Sequence, residues 1–264
     1  MNDIDQPLDE VEFLVRSEHR VAVLDALAER PHSRADLRVL TGASSSTIGR
    51  MLSEFEDRCW IERIEHRYEA TPLGAFVAEG LMTLLERMET EQTLRDVWQW
   101  LPTEEIGFDV ESFTDAVVTV PEFGSPHRTA NRFVELVEET ETIRGFTPTT
   151  VKSDMNVLFR NAIDGMETEL MWPSDLTETV LTLHPEQVPA AIESGNLTVL
   201  TNDDLPCACA IFDDRIGLAG YDRETGVMRA TIDTDAPEAR RWAEALYESY
   251  RRDARPLNPK TIVA

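Results

Sequence analysis

The segment from Pro31 to Gly74 constrains the fold most, because its hydrophobic repeat changes from helical to alternating along its length. Ser33 is placed to cap a short helix, and Gly42 is placed to end that helix. A second helix is expected to begin at the hydroxyl cluster Ser44–Thr47. Its apolar residues recur at helical spacing: Ile48, Leu52 and Phe55. Two short helices joined by a tight turn that contains glycine are typical of a helix-turn-helix.

After Arg58 the hydrophobic period changes to two, first in "WIERIE" and again from Tyr68 to Ala70. This pattern predicts a short β-hairpin with its tip at "EHR", the wing of a winged helix. Ahead of this segment, apolar residues at helical spacing from Val11 to Arg30 predict one helix that ends at Pro31. Together these elements predict a winged helix-turn-helix DNA-binding domain over residues 1–72.

A long helical pattern follows the predicted wing, and it predicts a connecting or dimerisation helix over residues 73–102. A surface helix of this length needs a partner for its apolar stripe, either a second copy of the chain or the domain that follows. We therefore assign four residues near its end to dimer or interdomain packing: Leu94, Val97, Trp98 and Trp100.

Beyond Pro102, strand and helix patterns alternate, which is typical of an α/β sheet with mainly parallel strands. We predict an α/β effector or sensor domain over residues 103–264 and an overall α+β fold class. Its predicted elements include a buried strand in "DAVVTVPEF", a helix capped at Ser125, one helix from Asp175 to Gly195, and an antiparallel hairpin turning at Asp213 and Asp214.

The chain is strongly acidic, with 50 acidic and 25 basic residues and a formal net charge of −25. Only Lys152 and Lys260 are lysines. Acidic, lysine-poor surfaces resemble those of proteins from salt-loving organisms, in which carboxylates hold water and salt screens their repulsion. From Pro31 to Tyr68, however, six arginines balance six carboxylates. The surplus of negative charge therefore lies outside the predicted helix-turn-helix and wing.

Three cysteines without framework spacing favour a reducing compartment. The chain opens with an acidic, polar stretch, and its apolar stretches are broken well before the roughly 18 residues of a membrane span. We expect a cytoplasmic protein that does not contact the membrane and needs no cofactor or metal. Cys207 and Cys209 share one face of a strand, where buried core residues are favoured over a redox or metal sensor. Asp213 and Asp214 are explained by a hairpin turn more simply than by a cation site.

The predicted second helix places hydroxyl groups and unpaired backbone N–H groups at its beginning, an arrangement that accepts phosphate or faces base edges. We assign Ser45, Ser46 and Arg50 to bases, and Arg50 can contact guanine through two hydrogen bonds. The residues assigned to DNA binding are Ser44, Ser45, Ser46, Thr47, Arg50, Arg63, His66 and Arg67. In the alternative interpretation the hydroxyls only begin a helix, and the arginines only balance neighbouring carboxylates. The expected partner is a double-stranded, roughly palindromic DNA operator bound by a homodimer.

Three stretches carry a resemblance to a known family: Gly42–Gly74, "LPCACAIFDDRIGLAGYD" and "IDTDAPEARRWAEALYESYR". From about Val11 to Pro256 the chain resembles haloarchaeal winged-helix transcriptional regulators whose C-terminal part is related to the middle domain of a methanogenesis regulator. The resemblance implies a sequence-specific DNA-binding protein, a dimer, and an α/β domain that senses an effector of unknown identity. It does not imply an enzyme.

The distantly similar sugar-sensing archaeal regulators carry a domain like phospholipase D, whose chemistry needs a histidine two residues before a lysine. No histidine of this chain has that spacing: His19, His32, His66, His127 and His184. His127 and His184 are assigned to the surface or to helix capping. A hydrolase with the winged helix as a protein-interaction module is the alternative function. A doubly wound sheet binds ligands beyond the carboxyl ends of its strands, which points to an effector pocket near Pro121, Thr147, Trp172 and Asp203.

Overall fold

The structure is a computed structural model that describes residues 5–101, 103, 107–149, 152–222, 225 and 227–257. The chain divides into two compact units, Met1–Met88 and Glu89–Ala264. The boundary between them lies inside a helix that spans Pro72–Arg95. Among the described residues, no helix combines the length and the apolar character that crossing a membrane requires.

The first unit has the arrangement of a winged helix-turn-helix, as the sequence predicts. Its elements in chain order are α1 (Asp5–Val15), α2 (Glu18–Glu29), β1 (His32–Ser33), α3 (Arg34–Thr41), α4 (Ser45–Glu56), β2 (Ile61–Ile64), β3 (Arg67–Ala70) and the first part of α5 (Pro72–Arg95). The strands form an antiparallel sheet in the order β1, β3, β2. The predicted wing is the hairpin of β2 and β3.

The prediction of one helix from Val11 to Arg30 is wrong, because Ser17 interrupts it. Ser17 has extended backbone angles, with φ −148° and ψ 124°, so α1 ends before it and α2 begins after it. On α1, Val11 and Val15 are 42% and 50% exposed, whereas Leu14 is 3% exposed. The core of the unit draws on all five helices and the wing, and includes Leu14, Leu24, Leu37, Phe55 and Leu81.

Helix α5 ends at Arg95, before the predicted end at Pro102, and a 3-10 turn over Trp98–Trp100 follows it. Leu94 and Val97 are buried in a core cluster of the second unit. Trp98 meets Phe108 edge to face at 5.9 Å. These residues therefore pack on the domain that follows the predicted helix, which is one of the two partners that the sequence leaves open.

The second unit is a sheet with helices on both faces. After a 3-10 turn at Val110–Phe113, its elements are β4 (Val117–Thr119), α6 (Arg128–Glu138), β5 (Thr142–Phe146), α7 (Lys152–Ile163), β6 (Glu167–Trp172), α8 (Ser174–Leu183), α9 (Gln187–Glu193), β7 (Leu197–Thr201), β8 (Ala208–Ile211), β9 (Ile216–Tyr221), β10 (Met228–Thr234), α10 (Pro237–Arg251) and β11 (Arg255–Pro256). The eight strands lie in the order β11, β7, β6, β5, β8, β9, β10, β4.

The expectation of a mainly parallel sheet is wrong. Among the described residues, only β5, β6 and β7 are parallel neighbours, and they are joined by helical crossovers. The other five pairings in the described part of the chain are antiparallel. The reason is that β8 pairs antiparallel with β5, and β9 and β10 continue the sheet from it as successive antiparallel strands joined by hairpins.

Two core clusters lie on the two sides of this sheet. One contains α10 residues such as Ala243 and Tyr247 together with Phe146, Cys209 and Leu218. The other contains residues of α6, α7, α8 and α9 together with Leu170 and Trp172. Side chains alternate between the two faces of a strand, so each central strand contributes side chains to both clusters.

Three further predictions fail at element ends. Ser125 is not a helix cap, since α6 begins at Arg128 after His127 and has no side-chain cap. The predicted helix from Asp175 to Gly195 is two helices, because Pro185 cannot continue α8. The strand predicted as buried is the edge strand β4, in which Val117 is 45% exposed.

Candidate nucleic-acid interface

Helix α4 begins with a cap made by Ser44. The Ser44 hydroxyl accepts a hydrogen bond from the backbone N–H of Thr47 at 3.2 Å. The same oxygen lies 2.9 Å from the Ser46 hydroxyl and 2.8 Å from the Thr47 hydroxyl. The backbone N–H groups of Ser45 and Ser46 have no acceptor among the described residues. This end of α4 therefore offers free donors and the positive end of the helix dipole to solvent.

The buried and exposed residues of α4 separate cleanly by helical spacing. Ile48, Met51, Leu52 and Phe55 are buried. Up to Ser53, the side chains that face away from them are short or cationic and are exposed or half-buried: Ser45, Ser46, Gly49, Arg50 and Ser53; the exposed Glu56 ends the same side of the helix. An added Cβ at Gly49 would meet nothing within 4 Å. We call these five residues the α4 face; sequence reasoning missed Gly49 and Ser53, which the i, i+4 spacing from Ser45 and from Gly49 could have found.

The turn before α4 is fixed by local hydrogen bonds. Ser33 and Asp36 form a capping box at the start of α3, and hydrogen bonds from Ser33 lower the pKa of Asp36. Gly42 ends α3 in the left-handed conformation, with φ 70°, and its N–H donates to the Arg38 carbonyl. Both the cap and the glycine turn confirm the sequence prediction, and they set where the exposed end of α4 begins.

The wing places its polar residues at an exposed tip. Arg63, His66 and Arg67 are exposed, and Glu65 makes the turn with φ 54°. The Arg63 guanidinium donates to the Glu65 carbonyl at 3.1 Å. Tyr68 of the same hairpin is buried, and its hydroxyl accepts a hydrogen bond from the Arg34 guanidinium at 3.1 Å. Arg34, at the start of α3, is a further cation of this surface that sequence reasoning missed.

Most arginines of this segment are not neutralised by a carboxylate. Arg58 pairs with Glu10 at 2.7 Å and lies 3.7 Å above the Phe13 ring, so it serves the core of the unit. Within the described ranges, the other five arginines from Pro31 to Tyr68 form no ion pair: Arg34, Arg38, Arg50, Arg63 and Arg67. All five side chains are exposed. The segment is neutral in total, but its arginines remain available to an anionic partner.

The four residues assigned to an effector pocket do not all lie together. Thr147 and Trp172 line one cavity of the second unit, and Pro121 and Asp203 are not among its lining residues. Asp203 accepts the backbone N–H of Ser174 at 2.7 Å, at the start of α8, and this bond lowers the pKa of Asp203. Pro121 precedes a tight turn in which Phe123 is exposed.

The cysteines and the Asp-Asp turn have structural roles in the second unit. Cys207 and Cys209 are 4% and 2% exposed, and burial raises the pKa of Cys209. The Asp213 carboxylate accepts the N–H groups of Glu141 and Thr142 at 2.6 and 3.1 Å, which ties the β8–β9 turn to the start of β5. In the described part of the chain, no group of three or more potential metal ligands comes together.

The histidines differ in their surroundings. His184 is 3% exposed, follows α8 directly, and has its Nδ1 2.8 Å from the Gln187 side-chain oxygen. It is therefore a buried residue at a helix end. His127 precedes α6, is exposed, and forms no side-chain cap.

Two regions of the chain match family models. Residues 126–253 match the family described as methanogenesis regulatory protein FilR1, middle domain. Residues 8–93 match the family described as HVO_A0261 N-terminal domain. The predicted relation of the C-terminal part to the middle domain of a methanogenesis regulator is confirmed, and the regulator-family match supports a role in transcription regulation. Among proteins with curated descriptions, none matches the chain.

Several solved structures have a similar but distant backbone. The archaeal chromatin protein TrmBL2 is 13% identical, with 94% of this chain and 99% of that chain covered and a TM-score of 0.43. The phospholipase D family member Nuc from Salmonella typhimurium is 13% identical, with 54% of this chain and 99% of that chain covered and a TM-score of 0.42.

Proposed function

We propose that this chain, whose residues 126–253 match the middle-domain family of a methanogenesis regulatory protein, is a sequence-specific transcriptional regulator that binds double-stranded DNA in the cytoplasm. The observation that carries the proposal is the combination of an exposed α4 start, where the backbone N–H groups of Ser45 and Ser46 stay free beside the Ser44 cap, with five arginines of the same segment that form no ion pair among the described residues. The proposed role needs no catalytic residue.

In this proposal the α4 face enters the major groove. Ser45, Ser46 and Arg50 contact base edges, and the open space at Gly49 allows the helix backbone to come close to the DNA. Ser44 and Thr47 lie at the start of α4, and this helix start faces a phosphate of the DNA, since free backbone N–H groups at a helix start bind anions. Arg63, His66 and Arg67 place the wing on the neighbouring backbone. Arg34 and Arg38 extend the same cationic surface along α3.

We further propose that two copies act together on a roughly palindromic site. Two helices of the first unit carry exposed apolar stripes that have no partner among the described residues. The stripe on α1 consists of Leu8, Val11 and Val15, and the stripe on α5 consists of Leu73, Phe76, Leu84 and Met88. Stripes of this kind on adjacent turns mark protein interaction sites, and a second copy would cover them.

The experiment selects duplexes from a random DNA library with the full chain and then measures their affinity by fluorescence anisotropy. Arg50→Ala should weaken binding of the selected duplex by roughly 1–3 kcal/mol, with a much smaller effect on a scrambled duplex. Arg241→Ala is the matched control, because Arg241 is an exposed arginine of the second unit. Failure to enrich any duplex would overturn the proposal, as would an Arg50→Ala variant that binds like the unmodified chain at the same salt concentration.

A further inference from the structure

The second unit contains a cavity of about 80 Å³ between its sheet and the helices α6 and α7. It lies within a wider recess of about 700 Å³ that includes open solvent. Residues of β5, β6, β8, β9 and β10 form one side, and Phe133, Leu136, Met155 and Leu158 of the two helices form the other. Ligand sites of proteins are concave and have mainly apolar walls.

Small residues on three neighbouring strands create the space. Ala210 pairs with Gly145 on one side and with Gly217 on the other, and Ala208 pairs with Ala219. Directly paired residues point to the same face of a sheet, so these residues share one floor. A Cβ on Gly145 would lie 2.6 Å from the Cys209 carbonyl oxygen, so close strand packing requires glycine there.

Aromatic and aliphatic side chains surround this floor. Phe133 and Phe212 meet edge to face with ring centroids 6.3 Å apart, and Trp172 lies at the carboxyl end of β6. The floor is flat because its residues carry little or no side chain, and it can take a planar ring. The aromatic walls suit the same ring, since aromatic pairs prefer edge-to-face and offset contacts.

The lining side chains carry hydroxyls and the Trp172 indole N–H, and no charged side chain is among the described lining residues. The hydroxyls belong to Thr147, Thr149, Tyr221 and Thr231. Thr231 is 4% exposed, and its hydroxyl donates to the Thr129 carbonyl over a long 3.4 Å. A charged ligand would lose its hydration here without gaining a partner, whereas a neutral ligand with one polar atom would lose little.

From this geometry we propose that the cavity binds a small, neutral, planar aromatic molecule with one hydrogen-bonding group, whose ring lies on the Gly145–Ala210–Gly217 floor. The Thr231 hydroxyl, whose own proton is directed to the Thr129 carbonyl, accepts a hydrogen bond from that group. The enclosed volume of about 80 Å³ is smaller than the apolar cavity of about 150 Å³ that is known to take up benzene, so the ring would extend from the cavity into the recess. The inference rests on the proposed regulatory function, in which this molecule is the effector.

Isothermal titration of the full chain without DNA tests the inference, with phenol, indole and toluene as probes and benzoate as the charged control. Phenol and indole should bind saturably, and benzoate should bind more weakly by roughly tenfold or more. Ala210→Leu should abolish binding of all three neutral probes, because the larger side chain occupies the floor. Thermal unfolding of this variant checks that it folds.

Thr231→Val provides an independent test that keeps the cavity intact. It should remove the preference for phenol over toluene while toluene still binds, since only the hydroxyl is lost. Absence of saturable binding by every neutral probe would overturn the inference, and so would unchanged binding in a folded Ala210→Leu variant. DNA affinity is measured in a separate experiment. Failure of the neutral probes to bind would therefore not affect the proposal of DNA binding, and failure to bind DNA would not affect the measured binding of the probes.

Discussion

The carboxylate of Asp233 joins β10 to α6 and to the β8–β9 turn, and its side chain is 0% exposed. It accepts hydrogen bonds from Arg132 at 2.7 and 2.9 Å and from Arg215 at 2.8 Å. Asp233→Asn leaves two guanidinium groups facing a neutral amide, so the free energy of unfolding should fall by roughly 3–5 kcal/mol, as when a buried ion pair loses one partner. Urea denaturation followed by tryptophan fluorescence measures the change.

Glu135→Gln is the matched control for Asp233→Asn. Glu135 accepts a hydrogen bond from the same Arg132 at 3.2 Å, but its side chain is 58% exposed. An exposed ion pair contributes only about 0–1 kcal/mol, so this variant should remain close to the unmodified chain. If the free energy of unfolding fell by the same small amount in both variants, the buried Asp233 carboxylate would contribute no more to stability than an exposed one.

Residue roles could be predicted where the signal is local in sequence and could not be predicted where it is distant. Ser33, Gly42 and Ser44 were identified because a cap needs only its own turn of backbone. Asp233 and Arg132 are 101 residues apart, and no short pattern links them. The placement of Thr147 and Trp172 on one cavity followed from the rule for parallel strands, which applies locally at β5 and β6.

At the scale of elements, Gly42 sets the turn between α3 and α4. Its φ of 70° is strained for any residue with a Cβ, although an added Cβ would meet nothing within 4 Å. Gly42→Ala should therefore lower the free energy of unfolding by about 1 kcal/mol through backbone strain alone. Chemical denaturation of the full chain checks this value.

Gly49→Ala is the opposite case on the next helix. Gly49 lies inside α4 with helical backbone, and an added Cβ has open space. Alanine should stabilise the helix by roughly 0.5–1 kcal/mol, because glycine loses more backbone entropy there. If alanine changed the free energy of unfolding in the same direction at Gly42 and at Gly49, the left-handed turn assigned to Gly42 would be contradicted. DNA affinity of Gly49→Ala is a separate readout, since the added methyl group projects from the α4 face.

Helices and strands were predictable as elements, but their interruptions and pairings were not. The hydrophobic period located α4, the wing and the strands of the second unit, since the period depends on neighbouring residues alone. The breaks at Ser17 and Pro185 fall inside hydrophobic patterns that continue on both sides, so these patterns do not reveal where one helix ends and the next begins. The order of the sheet depends on contacts between distant strands, and the position of the β8–β9 hairpin beside β5 reversed the predicted parallel majority.

For the whole molecule, the net charge of −25 opposes association of two copies, and the exposed apolar stripes favour it. Salt screens the repulsion between like charges, whereas apolar contact does not weaken with salt. A dimer formed through the stripes of α1 and α5 should therefore tighten as salt rises. A dimer formed through ion pairs should loosen under the same change.

Phe76→Glu tests this interface, because Phe76 is 74% exposed and lies on the α5 stripe. Removing a buried Phe from each side of a dimer costs about 1.5–3 kcal/mol per side chain, so the dimer should weaken by well over tenfold. Ala28→Glu is the matched control, since it adds the same charge at an exposed position of α2 outside both stripes. Sedimentation equilibrium at about 0.1 M and about 2 M KCl measures association of the unmodified chain and both variants. Equal dimer affinity in Phe76→Glu and Ala28→Glu would place the interface elsewhere, and a dimer that loosened with salt would rule out an apolar stripe as its main contact.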